Sequence, residues 1–238
     1  MVVMAMKNLL TALMLIVSMG VTGAVCAQDF VKGFKAYEAK DYATALKEWR
    51  YLAEEGHGGA QMAIAEFYMF GLGVAQDYKE AFYWNRKAAE QGEAVSQYAL
   101  GHQYKNGLGI SQDYKEAAIW LRRSADQGHT RAQNSLGRMY YNAEGVPQDY
   151  KKSIIWFRKA AEQGERLAQQ NLGLSYETGH GAIQDKVYAH MWYNIAGSKG
   201  AAESSKWRDD IAKKMTAAEI AKAQELAREC VKKLYKGC

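Results

Sequence analysis

One 36-residue unit recurs four times without a gap between Asp41 and Gln184, and no other feature limits the fold as tightly. The copies cover 41–76, 77–112, 113–148 and 149–184, and a decayed fifth covers 185–215. A fixed period of this length marks a stacked array, in which each unit covers apolar surface that its neighbour cannot bury alone. Arrays of helix pairs mostly bind other proteins along an extended surface, and few do chemistry.

Each copy reads as a helix hairpin. Asp41, Asp77, Asp113, Asp149 and Asp185 stand where a helix N-cap is needed, and Glu80 and Glu116 are placed to complete capping-box-like pairs. In the second copy the first helix runs through YKEAFYWNRKAAEQ, with Ala81, Trp84, Ala88 and Ala89 marking one face. Gly56, Gly92, Gly128, Gly164 and Gly200 recur just past this helix, where a left-handed residue is required. The second helix, about Ala94–Asn106, carries Leu100-Gly101, matched by Leu136-Gly137 and Leu172-Gly173. A small residue beside the leucine lets a neighbouring helix come close. Gly107 and Gly109 make the following turn, as do Gly71/Gly73 and Gly179/Gly181; Ala143, Glu144 and Gly145 in the third copy predict a turn of different shape. No stretch alternates with period two, so no strands are expected. The single proline, Pro147, lies in a loop.

The ends differ from the repeats. Residues 1–27 combine Lys7, an apolar core from Leu9 to about Val17 and small residues ending at Ala27. That is the pattern of a cleavable signal peptide cut before Gln28, which implies a periplasmic or secreted protein with no membrane span after cleavage. Retention of the stretch as a membrane anchor and lipidation of Cys26 are the alternatives. Residues 29–39 predict a short leading helix, and a helix over 216–235, opened by a Thr216/Glu219 capping box, is expected to cover the last repeat. No linker interrupts 28–238, which reads as one domain. Cleavage would remove Lys7 and no acid, taking the formal charge from +5 to +4. Acids interleave with the lysines and arginines in every repeat, so nucleic-acid binding is not expected.

Cys230 and Cys238 remain after cleavage, an even number in an exported chain, and a disulfide between them is the first reading, two free thiols the other. In an unbroken helix they would lie about 12 Å apart, whereas a bridge needs Cα atoms within about 7 Å. The last helix must therefore stop near Lys233 and Leu234–Cys238 must fold back.

The pattern A-x-x-x-L-G-x-x-Y-x-x-G-x-G-V followed by D-x-x-x-A-x-x-W-x-x-x-A-A-x-x-G resembles the Sel-1-like repeat (SLR) family, a relative of the tetratricopeptide repeats. AVSQYALGHQYKNGLGISQDYKEAAIWLRRSADQG carries it across two copies, and the resemblance extends over about 41–200. It implies an all-α, right-handed αα-superhelix (solenoid) of stacked hairpins. It also implies an adaptor or scaffold role in secretion, envelope biology, signalling or host contact. A cysteine-rich branch of the family is linked to β-lactam binding and hydrolysis; this chain has no cysteine between Cys26 and Cys230, so that activity is not carried over. An enzyme-like cell-wall binder remains the alternative function.

The residues themselves give little chemistry. His57, His102, His129, His180 and His190 show no metal-ligand spacing, and neither a nucleophile elbow nor a phosphate loop occurs. No metal, cofactor or catalytic residue is expected. Trp84, Trp120, Trp156 and Trp192 stand 36 residues apart and read as core, with a stacking ladder for ligands as the other reading. The positions around the framework tyrosines Tyr68, Tyr104, Tyr140 and Tyr176 differ from copy to copy. Glu66, Phe67, Phe70, Gln103, Asn106, Met139 and Asn142 are therefore expected to line a groove for a protein partner on the concave face. The competing reading for Phe67 and Phe70 is that they seal the leading helix against the array.

Overall fold

A computed structural model describes residues 20–238, with side chains from 29 onward. Most of the expected signal segment, including Lys7 and Leu9 to Val17, lies outside the described residues, as does the side chain of Cys26. Twelve helices and no strand occur among the described residues. The chain divides into two compact units, one ending at Gln112 and the other running from Asp113 to Cys238.

In the first unit, α1 (Gly20–Glu38) precedes the hairpins α2 (Tyr42–Glu54)/α3 (Gly58–Phe70) and α4 (Tyr78–Glu90)/α5 (Ala94–Asn106). The expected leading helix is thus present and starts earlier, running through the position where cleavage is expected. Each helix packs on the one before it. The core gathers Phe30, Phe34, Trp49, Leu52, Ile64 and Phe67. Trp49 is fully buried and its Nε1 donates to the Phe30 carbonyl at 3.1 Å, which ties α1 to the first hairpin.

The second unit holds α6 (Tyr114–Asp126)/α7 (Thr130–Asn142), α8 (Tyr150–Ala161)/α9 (Arg166–Thr178), α10 (Lys186–Ser198)/α11 (Ala202–Ala212) and the final helix α12 (Ala217–Lys232). Packing is again sequential, and α12 lies on α10. Ile154, Phe157, Leu172, Trp192, Ile195 and Cys230 form its largest core. The 36-spaced tryptophans are core in both units, none more than 8% exposed.

Local chemistry sets the helix limits. All five aspartates cap, each accepting from a backbone N–H two or three residues on. No reciprocal bond from Glu80 or Glu116 accompanies them; the capping box is complete at Thr216/Glu219. The second helices of the first and third hairpins are capped by His57 and His129, whose Nδ1 atoms accept from Ala60 and Ala132 N–H at 3.2 Å. Glu165 does the same for Ala168 at 2.6 Å. The glycines after the first helices are all left-handed, with φ from 83° to 97°.

A buried glutamine stitches each of the first four hairpins. Gln61, Gln97, Gln133 and Gln169 donate to the carbonyls of Ala53, Ala89, Ala125 and Ala161 at 3.0–3.2 Å. Those carbonyls sit at a helix end, where backbone acceptors lack intrahelical partners. Ala143 corrects the expectation of a different third turn. It is left-handed (φ 59°) like Gly71 and Gly107, and Gly145 (φ 70°) matches Gly73 and Gly109. The turn is held from outside by Gln148, which donates to the Tyr141 carbonyl at 3.0 Å as Gln76 and Gln112 do in their copies.

The C-terminus folds back as bridge geometry demands. α12 ends at Lys232, Leu234 and Tyr235 are left-handed, and Tyr235 N–H donates to the Cys230 carbonyl at 2.8 Å. Cys230 and Cys238 stand as a pair, with Cα atoms 5.6 Å apart, within bridging distance. Lys199 stands 3.9 Å from the centre of the Tyr235 ring and donates to the Gly164 carbonyl at 3.0 Å, fixing the tail to the second unit.

Candidate functional site

The seven residues expected to face a partner divide by burial. Phe70 (61% exposed), Asn106 and Asn142 lie open to solvent at one register position, the last residue of α3, α5 and α7. Asn106 Nδ2 donates to the His102 carbonyl at 2.8 Å and Asn142 Nδ2 to Glu144 Oε1 at 3.1 Å, so both amides are anchored to their own helix ends. Phe67, Gln103 and Met139 are buried, none above 1% exposed, which corrects their expected place on a groove. They share a register position that points into the hairpin.

Their variability has a packing cause. The position eighteen residues earlier varies with them. Phe67 meets Trp49 edge-on at 5.7 Å between ring centres. Gln103 accepts from Asn85 Nδ2 at 2.9 Å in a buried pair. Met139 is matched by buried Leu121, and small Ser175 by large Phe157. Phe67 also packs against Tyr37 of α1 and Tyr42, at 6.0 and 5.8 Å, so it seals the leading helix as the competing reading held.

Glu66 lies half-buried beside these rings. Burial pushes its carboxyl up to about 7, and its charge in turn helps raise the Tyr37 hydroxyl, after burial. In the second unit, Tyr193 donates to Glu177 Oε2 at 2.7 Å; burial, then that bond, pushes its hydroxyl up. His180 contacts Tyr141 OH at 2.8 Å through Nδ1 and stacks on Tyr150 at 4.3 Å. No group of three or more His, Cys, Asp or Glu side chains able to hold a metal occurs among the described residues. No helix among them is long and apolar enough to cross a membrane.

Sequence reasoning missed the exposed first-helix residues Tyr83, Ile119 and Ile155, which are 48%, 44% and 53% exposed and stand 36 apart. Their common register was the available signal.

Four consecutive stretches, 59–93, 94–129, 130–165 and 166–200, match the Sel1 repeat. The chain belongs to the Sel1 repeat family. Each matched unit begins at or next to the first residue of a second helix, half a period out of phase with the aspartate-first copies. The fold is similar to that of a protective antigen present in uropathogenic Escherichia coli strains and displaying an SLR fold, with 34% identity and a TM-score of 0.83. That similarity covers 88% of this chain and 46% of the antigen, so the chain spans under half of that protein. A Sel1 repeat protein from Oxalobacter formigenes is 32% identical with a TM-score of 0.73, covering 86% of this chain and 85% of the other. No curated protein matches the chain. Sel1 repeat proteins are generally protein–protein interaction scaffolds.

Proposed function

We propose that this Sel1 repeat chain is an exported, non-enzymatic scaffold that binds a protein partner in the cell envelope or at contact with a host. One observation supports the reading: His57 and His129 serve as helix caps and the buried Gln61 and Gln133 as carbonyl partners. The E. coli relative, described as a protective antigen, supports a surface or host-contact setting. Export through the N-terminal segment, removal of that segment before Gln28 and an oxidised Cys230–Cys238 pair in the mature protein belong to the same proposal. Intact mass of protein from the native envelope, with and without reductant, tests all three.

Of the residues expected to meet a partner, Phe70 and Asn106 of the first unit and Asn142 of the second stay open to solvent, with Glu66 half-buried in the first. Crosslinking in the native envelope followed by identification of the attached protein tests the scaffold role. Phe70→Ala should weaken that complex by about 1–2 kcal/mol, as loss of an exposed aromatic anchor does, while Tm stays unchanged. Turnover of a chromogenic β-lactam by the purified chain, or no protein captured, would count against the reading.

A further inference from the structure

The first and second helices of the first, third and fourth hairpins are linked by an arginine–tyrosine pair. Arg50 donates to Tyr68 OH, Arg122 to Tyr140 OH and Arg158 to Tyr176 OH. No carboxylate pairs with Arg122 or Arg158 among the described residues. In the second unit the charge is concentrated. Arg122 and Lys152 both lie 5.6 Å from the centre of the Tyr140 ring. The nearby anion, Asp149, is bound to Lys152 at 2.9 Å and to the Lys152 N–H at the same distance. Ile119 and Ile155 stand exposed one turn before Arg122 and Arg158, on adjoining positions of their helices.

We propose that this face of the second unit, with Arg122 and Arg158 as its cations and Ile119 and Ile155 as its apolar contacts, binds an acidic segment of a partner protein that also carries apolar side chains. The proposal rests on the scaffold reading and gives its partner a chemistry. A guanidinium pinned by one tyrosine hydroxyl is oriented yet keeps further N–H donors free, the arrangement suited to a carboxylate. A carboxylate brought to Arg122 meets a cation with no carboxylate partner among the described residues, whereas Lys152 already has Asp149. Nucleic acid fits less well. Its phosphates call for a denser row of cations, and its bases stack on open aromatic faces, whereas the Tyr140 ring is 6% exposed and already carries cations.

The test uses the full chain and a fluorescent peptide of repeating Glu-Leu units, with a Lys-Leu peptide and single-stranded DNA as comparisons. The Glu-Leu peptide should bind with an affinity that falls as salt rises, and the Lys-Leu peptide should not bind. Arg122→Gln/Arg158→Gln should weaken binding roughly tenfold or more. Tyr140→Phe and Tyr176→Phe, which keep both cations but release them from the hydroxyls, should weaken binding less than the arginine changes do. If the double arginine variant does not fold, the fall of wild-type affinity with salt and the contrast with the Lys-Leu peptide still test the proposal. Equal binding by the arginine variant, no binding of the acidic peptide, or tighter binding of DNA at the same arginines would overturn the proposal. A crosslinked protein partner that binds wild type and the arginine variant alike would sink the acidic face and leave the scaffold standing; no protein partner at all would sink the scaffold.

Discussion

The Tyr193 ring fills the space beside Gly173 so closely that a Cβ on the glycine would lie 2.5 Å from two ring carbons. Phe157 stands against Gly137 in the same way, at 2.6 Å. A small residue on one hairpin's second helix thus receives a ring from the next hairpin's first helix. Gly173→Ala should lower stability by about 1–3 kcal/mol through overpacking, and Tyr193→Leu in the same chain should recover part of the loss. Urea denaturation of the single and double variants checks this; an unaffected single variant would show that the ring moves aside freely.

Asn85 and Gln103 form a buried polar pair where the other hairpins place Trp49/Phe67, Leu121/Met139 and Phe157/Ser175, and Gln103 Nε2 has no partner among the described residues. Asn85→Leu alone leaves the glutamine amide wholly unsatisfied and should cost about 1–3 kcal/mol. Asn85→Leu/Gln103→Met, which copies the third hairpin, should be neutral or stabilising. Strictly additive effects in the double-mutant cycle would argue that the two amides act independently.

His129 caps α7 through a neutral ring nitrogen, and burial, then Arg131, pushes its pKa down to about 4. A histidine with a depressed folded-state pKa contributes stability that is complete above its unfolded value near 6.5 and is lost as pH falls toward 4. The loss should be on the order of 1–2 kcal/mol, allowing for partial solvent screening. Glu66, pushed up to about 7, works in the opposite sense, adding stability as pH falls from about 7 toward 4.5. His129→Asn keeps a capping acceptor that does not titrate. Thermal melts between pH 7 and 4.5 should show a smaller decline for this variant than for wild type.

Ala143 is left-handed and exposed at a turn where the other copies place glycine. Ala143→Gly should stabilise the chain by about 1 kcal/mol by removing the steric cost of a Cβ at positive φ. The midpoint of urea unfolding reads this directly, and a lowered midpoint would mean that added freedom of the unfolded chain outweighs the relieved strain.

What the sequence by itself determined was whatever depends on neighbours along the chain. The aspartate caps, the left-handed glycines at 36-residue intervals and the fold-back that lets Cys230 meet Cys238 all follow from the chemistry of a few adjacent residues, and each stands where it was expected. Glu80 and Glu116 had the spacing for a capping box and do not complete one, because spacing permits that bond without requiring it. Only tertiary structure decided the fate of Phe67, Gln103 and Met139. Variation at their position looked like freedom to encode a partner, but the residue eighteen positions earlier varies with it. Phe67 is matched by Trp49, Gln103 by Asn85 and Met139 by Leu121, so burial survives changes of residue type. Ala143 shows the same limit, since its turn is imposed by Gln148 and the following helix against the alanine's own preference. Local preference is written in the chain, but which side of a helix meets its neighbour is settled by the packing of both.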